Sequence, residues 1–239
     1  ASWKKVEKEE SAWSEPLLIH KTPDRADGNA IIKYFNGKLY MFYNVIMGRF
    51  FPWTKVVLRK KTSEDFGRTW SESKTVIGKN NKGYTVRNKP IIVEGKLIIP
   101  TGQEKILKST SQMLITENGE DFEFSEIIKP PKGKCHQPTI TELSSGEILA
   151  YLRTNQGFVF ESCSKDNGKT WSSPKQLGLK NPNSALDFVM DDEGDLVLVW
   201  NNNDKQGGMM KSRKSLQVGY SPDEGKSWSI INDIEEFKE

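Results

Sequence analysis

The sequence predicts an all-β fold, a β-propeller with four strands in each blade. Three observations predict it. A segment of eight residues recurs as Ser63-Glu-Asp65-Phe-Gly67-Arg-Thr69-Trp70, Ser164-Lys-Asp166-Asn-Gly168-Lys-Thr170-Trp171 and Ser221-Pro-Asp223-Glu-Gly225-Lys-Ser227-Trp228. A second set of turns, Asn36-Gly37, Glu94-Gly95, Ser145-Gly146 and Glu193-Gly194, keeps the same beat. The period is roughly 50 residues, which belongs to propellers and other repeat arrays.

Each element follows from local chemistry. The recurring segment reads S-x-D-x-G-x-[ST]-W and is a braced turn, named here the Asp turn. Its Asp accepts backbone N–H bonds, its Gly takes a positive φ, and its Trp is an apolar anchor between blades. On this reading the three Asp residues hold turns and take no part in catalysis. Thr116-Glu-Asn118-Gly119-Glu-Asp121-Phe122 is a copy one residue short, and Trp13-Ser14-Glu15-Pro16 matches the tail of the motif. The anchors are then Trp13, Trp70, Phe122, Trp171 and Trp228. The x-Gly turns join alternating apolar runs: Ala30–Phe35 with Leu39–Tyr43, Lys89–Val93 with Leu97–Pro100, Thr139–Leu143 with Ile148–Leu152, and Leu186–Met190 with Leu196–Trp200. Two strands around an x-Gly turn, then two around an Asp turn, make one blade.

Bulk properties narrow the function. The chain has 239 residues and a formal charge of +3, with the positive charge spread along it, so no nucleic-acid footprint is present. No apolar run approaches the roughly 20 residues of a membrane helix. Cys135 and Cys163 fall on strands that are not neighbours, so two free thiols are expected. Cys135-His136 lacks the companions of a zinc site, and neither metal nor cofactor is expected. No compartment can be read from the chain.

These residues resemble the sialidase (neuraminidase) superfamily, in its BNR-repeat, Asp-box branch. The resemblance extends beyond the turns to Gly28-Asn29, Arg87-Asn88-Lys89-Pro90, His136-Gln137-Pro138, Arg153-Thr154, Asn181-Pro182-Asn183-Ser184 and Asn201-Asn202, followed by Arg213 and Leu216. It implies a six-bladed family fold. Here one domain over residues 1–239 is expected to hold four full blades, from about Asn29 to Ile231. Two outer strands of another blade are expected before them, at Ser2–Lys5 and Trp13–Ile19. The chain is then either a fragment of such a ring or a reduced propeller. A fragment is expected to associate with itself through an open blade edge.

The resemblance also implies a sialidase-like exo-glycoside hydrolase acting on terminal sugars of glycans. The alternative is a non-catalytic propeller that binds glycan or protein. Sialidases grip a carboxylate with three arginines and use a Tyr–Glu nucleophile and an Asp acid/base. This chain has no Arg-Ile-Pro motif, and Arg87-Asn-Lys-Pro is arranged differently.

The site is expected at the rim opposite the Asp turns. Inner strands begin there at Asn29, Asn88, Gln137 and Asn183, where apolar residues would suit a strand better. Second strands end there near Asn44, Gln103, Arg153 and Asn201. Asn29, Arg87, Asn88, Gln137, Arg153, Asn183, Asn201 and Arg213 are the candidate substrate-binding residues. The amides suit a hydroxyl-rich sugar, or equally cap strands in a wet channel. Arg87, Arg153 and Arg213 suit an anionic group, since a guanidinium grips a carboxylate through two bonds. Asp27 is the candidate acid/base and Asp187 the second candidate carboxylate, with a channel-lining structural role as its other reading; Glu104 follows a second strand nearby. Phe50-Phe51-Pro52-Trp53 reads as a sugar-stacking lip or as a contact to a further blade.

Overall fold

The computed structural model describes residues 15–77, 83–203, 213 and 215–235. Their strands form four antiparallel meanders in chain order. The first blade holds β1 (Ala26–Phe35), β2 (Lys38–Ile46), β3 (Val56–Ser63) and β4 (Lys74–Thr75). The second holds β5 (Tyr84–Val86), β6 (Ile91–Val93), β7 (Lys96–Gln103), β8 (Thr110–Thr116) and β9 (Glu123–Phe124). The third comprises β10 (Thr139–Glu142), β11 (Ile148–Leu152), β12 (Phe158–Ser164) and β13 (Lys175–Lys180). The fourth comprises β14 (Leu186–Met190), β15 (Leu196–Asn201), β16 (Leu216–Ser221) and β17 (Ser229–Glu235). The four blades are arranged as a β-propeller. Both expected cysteines are free thiols.

Two features differ from the sequence expectation. The inner strand of the second blade is split: β5 and β6 both pair with β7, and Arg87–Pro90 bridges the gap between them. Pro90 brings no N–H to a ladder, and Asn88 turns its amide to the Pro138 carbonyl, so continuous pairing stops there. Glu15–Ile19 contains no strand, so the expected outer strand at Trp13–Ile19 is absent from the part that is described. Ile19 instead packs on Met41, Tyr43 and Val45, and its carbonyl accepts a bond from Lys61. Ser2–Lys5 and Trp13 lie outside the described residues.

The Asp turns have the expected bracing. Asp65 Oδ1 accepts Thr69 N–H at 2.8 Å, and its Oδ2 accepts the Thr69 hydroxyl at 2.6 Å. Ser63 Oγ accepts Gly67 N–H at 2.8 Å. The same three bonds recur around Asp166 and Asp223. Gly67, Gly168 and Gly225 have φ of 88°, 81° and 90°, the region where a Cβ is strained. In the short copy Asn118 Oδ1 takes the N–H of Asp121, and buried Lys60 reaches the Gly119 carbonyl and Glu120.

Hydrophobic cores lie between blades. Phe42, Leu58, Leu97 and Leu114 join the first blade to the second. Ile98, Met113, Ile148 and Leu152 join the second to the third. Tyr151, Phe188, Leu198 and Trp200 join the third to the fourth. Turns of neighbouring blades are tied along one rim: Asn36 donates to the Glu117 carbonyl at 2.9 Å, and Glu224 accepts Ser144 N–H at 2.7 Å. A meander with x-Gly and Asp turns at one end puts strand starts and β2–β3-type loops at the other. The candidate residues occupy that second rim.

Candidate functional site at the channel mouth

The second rim is assembled by polar side chains that cross between blades. Asn44, at the end of β2, donates to the Val86 carbonyl at 2.9 Å and accepts Val86 N–H at 3.1 Å. Asn88 donates to the Pro138 carbonyl at 2.9 Å. Asn201 donates to the Arg213 carbonyl at 3.1 Å, which fixes the backbone that carries that arginine. These amides satisfy backbone groups, the strand-capping reading of the sequence. Asn29 has φ 48° at a bulge between Gly28 and Ile31. Asn183, at φ 57°, accepts a bond from Arg153 Nε at 2.9 Å.

The three arginines converge. Burial pushes Arg153 down to about 10, followed by repulsion from Arg213; Glu104 pulls the other way and Arg87 adds to the lowering. Burial and then Arg213 also lower Arg87, with Asp187 opposing. Arg153 nonetheless remains cationic at neutral pH. Among the described residues, none of the three forms an ion pair with a carboxylate. A cleft of about 460 Å³ opens at Arg87, lined also by Asn29, Asn88, Leu186, Asp187 and Val199. It therefore lies where the first, second and fourth blades approach one another.

The two candidate catalytic carboxylates are not brought together in one cleft. Asp27 lines a neighbouring hollow with Ile19, His20 and Tyr43, which adjoins the arginine cleft at Asn29 and Ala30. Both of its oxygens brace the preceding loop, accepting Thr22 N–H at 2.8 Å and the Thr22 hydroxyl at 2.6 Å. Asp187 lines the arginine cleft, paired with Lys89 at 2.5 Å and accepting the Thr139 hydroxyl at 2.7 Å.

One cluster was only half visible in the sequence. Glu104 accepts from His136 Nδ1 at 2.9 Å, from Gln137 Nε2 at 3.1 Å and from Ser109 Oγ at 3.1 Å. Gln137 also donates to the Thr85 hydroxyl. His136 N–H in turn donates to the Arg153 carbonyl at 3.0 Å. This network holds Arg153 from below, with His136 Nε2 buried and unpartnered. His136-Gln137 and Glu104 each stand out in the sequence, but their pairing depends on how the second and third blades pack. Among the described residues no group of His, Cys, Asp and Glu is placed to hold a metal ion.

Three solved structures place this geometry among known folds. A Dyadobacter fermentans protein of unknown function superposes with TM-score 0.72 at 13% identity, over 92% of this chain and 69% of its own. The Trypanosoma rangeli sialidase gives 0.71 at 16% identity, over 94% of this chain and 42% of its own. Zg3597, a family 117 glycoside hydrolase of Zobellia galactanivorans, gives 0.60 at 15% identity, over 87% and 69%. The chain thus spans less than half the length of the trypanosomal enzyme. No curated protein sequence matches it significantly. The BNR repeat-like domain family matches residues 2–238, and the chain belongs to that family.

Proposed function

We propose that the channel mouth binds an acidic sugar, and that the protein is a sialidase-like exo-glycoside hydrolase acting on terminal sugars of glycans. One observation carries the reading: Arg87, Arg153 and Arg213 crowd together without a carboxylate partner among the described residues. A ligand carboxylate relieves that repulsion and accepts paired N–H bonds from a guanidinium. Asn29 and Asn183 stand beside them for hydroxyl groups, and a cleft of about 460 Å³ is in the range of small-ligand pockets. The trypanosomal sialidase, solved with 2,3-difluorosialic acid as a covalent intermediate, supports the choice of sugar.

A non-catalytic glycan-binding propeller is the second reading. The observation that favours it is the engagement of Asp27 and Asp187, each held by its own neighbours, in two adjoining clefts. The test is a titration of wild type and Arg153→Ala with sialic acid and neutral monosaccharides, with aryl-sialoside turnover measured in parallel. The variant is expected to weaken sialic acid about 10- to 100-fold, the size of a lost charged hydrogen bond, and to leave neutral sugars unchanged. Equal loss for both ligand types would mean structural damage. Binding without turnover would select the second reading.

A further inference from the structure

The loop between β2 and β3 presents three aromatic side chains to solvent. Phe50 is 85% exposed, Phe51 64% and Trp53 40%. Water-facing aromatics are unfavourable unless something covers them, and these are held rigidly. Pro52–Thr54 form a 3-10 turn; Thr54 N–H and hydroxyl both donate to the Phe51 carbonyl, at 3.0 and 2.8 Å. Met47 N–H closes the loop base on the Lys55 carbonyl at 2.8 Å. Phe51 sits at φ 55°, a strained conformation for a bulky residue. A loop that merely connected two strands has no need of that strain.

The lip adjoins the arginine site. A Cβ built on Gly28, next to Asn29, would lie 3.6 Å from the Trp53 ring. The Thr54 carbonyl packs against Gly83, whose own carbonyl accepts Glu104 N–H at 2.9 Å. Phe50 and Pro52 of the same loop line an open cleft of about 1470 Å³, several times larger than the arginine cleft, so Trp53 stands on the side of Gly28 and Phe50 on the side of the larger cleft. Four cations, Lys21, Arg25, Arg49 and Lys55, line that cleft against one carboxylate, Asp24.

We propose that this cationic cleft, with Phe50 in its wall and the aromatic lip at its edge, is a second subsite, which holds the continuation of an acidic oligosaccharide whose end sugar occupies the arginine site. Rigid rings stack on the faces of pyranose rings, and cations pair with carboxylates on successive sugars. The occupant is therefore a glycan charged on more than one residue, in place of a neutral glycan with one acidic cap. This inference rests on the acidic-sugar reading of the channel mouth.

The experiment compares sialic acid, an α2,8-linked sialic acid tetrasaccharide and a neutral maltotetraose, each titrated against wild type, Phe50→Ala/Trp53→Ala, Arg49→Ala and Arg153→Ala. Circular dichroism checks each variant's fold; Phe51→Gly, which relieves the positive φ, serves as a lip variant that does not threaten folding. The tetrasaccharide is expected to bind at least about 10-fold more tightly than the monosaccharide, by coupling of the two subsites. The lip variants and Arg49→Ala should erase that gain and leave the monosaccharide untouched. Lip-dependent binding of the tetrasaccharide without binding of the monosaccharide would support the second subsite and refute the acidic-sugar reading of the arginine site. A tetrasaccharide no tighter than the monosaccharide, or maltotetraose bound equally well, overturns the proposal. So does a dimer in light scattering that the lip variants dissociate, since the lip would then be covered by a second copy.

Discussion

At the scale of single residues, the Asp-turn carboxylates do measurable work at acid pH. The Thr69 hydroxyl and N–H, with the Ser63 hydroxyl, pull Asp65 down to about 2, and Ser227 and Ser221 do the same for Asp223. Burial pushes Asp166 up, but Thr170 and Ser164 outweigh it and the net shift is downward. A carboxylate depressed in the folded state contributes stability that is fully present above its unfolded value near 4 and is lost as pH falls through its folded value. Melting temperature should therefore drop between about pH 4 and pH 2. Asn118 already fills the Asp position in the fourth turn, so Asp65→Asn should fold, with a lower melting temperature at pH 6 and a shallower acid decline than wild type. An unchanged acid decline in Asp65→Asn combined with Asp223→Asn would refute this assignment. Asp166→Ala, which loses three bonds, should cost about 1–3 kcal/mol in denaturant melts and leave sugar binding intact. Glu104 is a different kind of residue. Glu104→Ala strands His136 and Gln137 and loosens the support of Arg153, so acidic-sugar affinity should fall although Glu104 lies beneath the arginine. Glu104→Gln, which keeps the shape and an acceptor, should recover part of that affinity in the same titration, and failure to do so would leave only charge as its contribution.

At the scale of elements, the turn glycines prove to be contacts between blades. A Cβ on Gly119 would lie 2.4 Å from the Tyr40 hydroxyl, and one on Gly225 would lie 2.5 Å from that of Tyr151. Tyr40 stands on β2 and Tyr151 on β11, each the second strand of the preceding blade. Trp228 Nε1 donates to the same Tyr151 hydroxyl at 3.1 Å. A Cβ on Gly67 would make only ordinary contact, with its nearest neighbour, the Trp70 ring, at 3.6 Å. Alanine at Gly67 should thus meet only the positive-φ strain, about 1–2 kcal/mol, while alanine at Gly119 or Gly225 adds overpacking of about 1–3 kcal/mol. Denaturant midpoints in the order Gly67→Ala above Gly225→Ala test this; the reverse order would break it. The turns themselves were legible because their chemistry is local: a Ser, an Asp and a Gly within five residues close their own hydrogen bonds. The tail-like Trp13-Ser-Glu-Pro segment shows the limit, since Glu15–Ile19 has no strand pairing despite matching the end of the motif. The split between β5 and β6 was carried only by Pro90 and by an amide bond to another blade. Arg87, Arg153 and Arg213 were legible as a set because they recur at strand ends where polar residues are unneeded. The roles of Asn88 and Asn201 were not, because an amide that caps a neighbour's backbone and one that faces a sugar look alike in sequence.

At the scale of the whole molecule, the four blades of the described residues share three apolar interfaces and leave two outer faces. Along β1 the residues that face away from the second blade are Ile32 and Tyr34, about half exposed, with Phe66 stacked on Tyr34 at a ring separation of 5.7 Å. On the fourth blade Val189, Val197, Val199 and Val218 face away from the third, with Val189 43% exposed and the others half-buried. On the first blade Ile19 already covers Met41, Tyr43 and Val45 and leaves Ile32 and Tyr34 open, while on the fourth Asp187 shares the face with the valines. The expected outcome is contact between the open part of the first blade of one molecule and the fourth blade of another. Such a contact is heterologous, so it builds closed rings or open chains. Light scattering should show mass rising with concentration over the micromolar range. Tyr34→Lys and Val189→Lys, each placing a charge in one of the two faces, should each return the protein to monomer, because a head-to-tail contact needs both partners. A mixture of the two variants should recover dimers, and no larger species, because each variant's intact face finds the other's. Dimers in the mixture are the expected result, since Tyr34→Lys keeps an intact fourth-blade face and Val189→Lys keeps an intact first-blade face. A wild type that stays monomeric at every concentration would show that these faces are not adhesive.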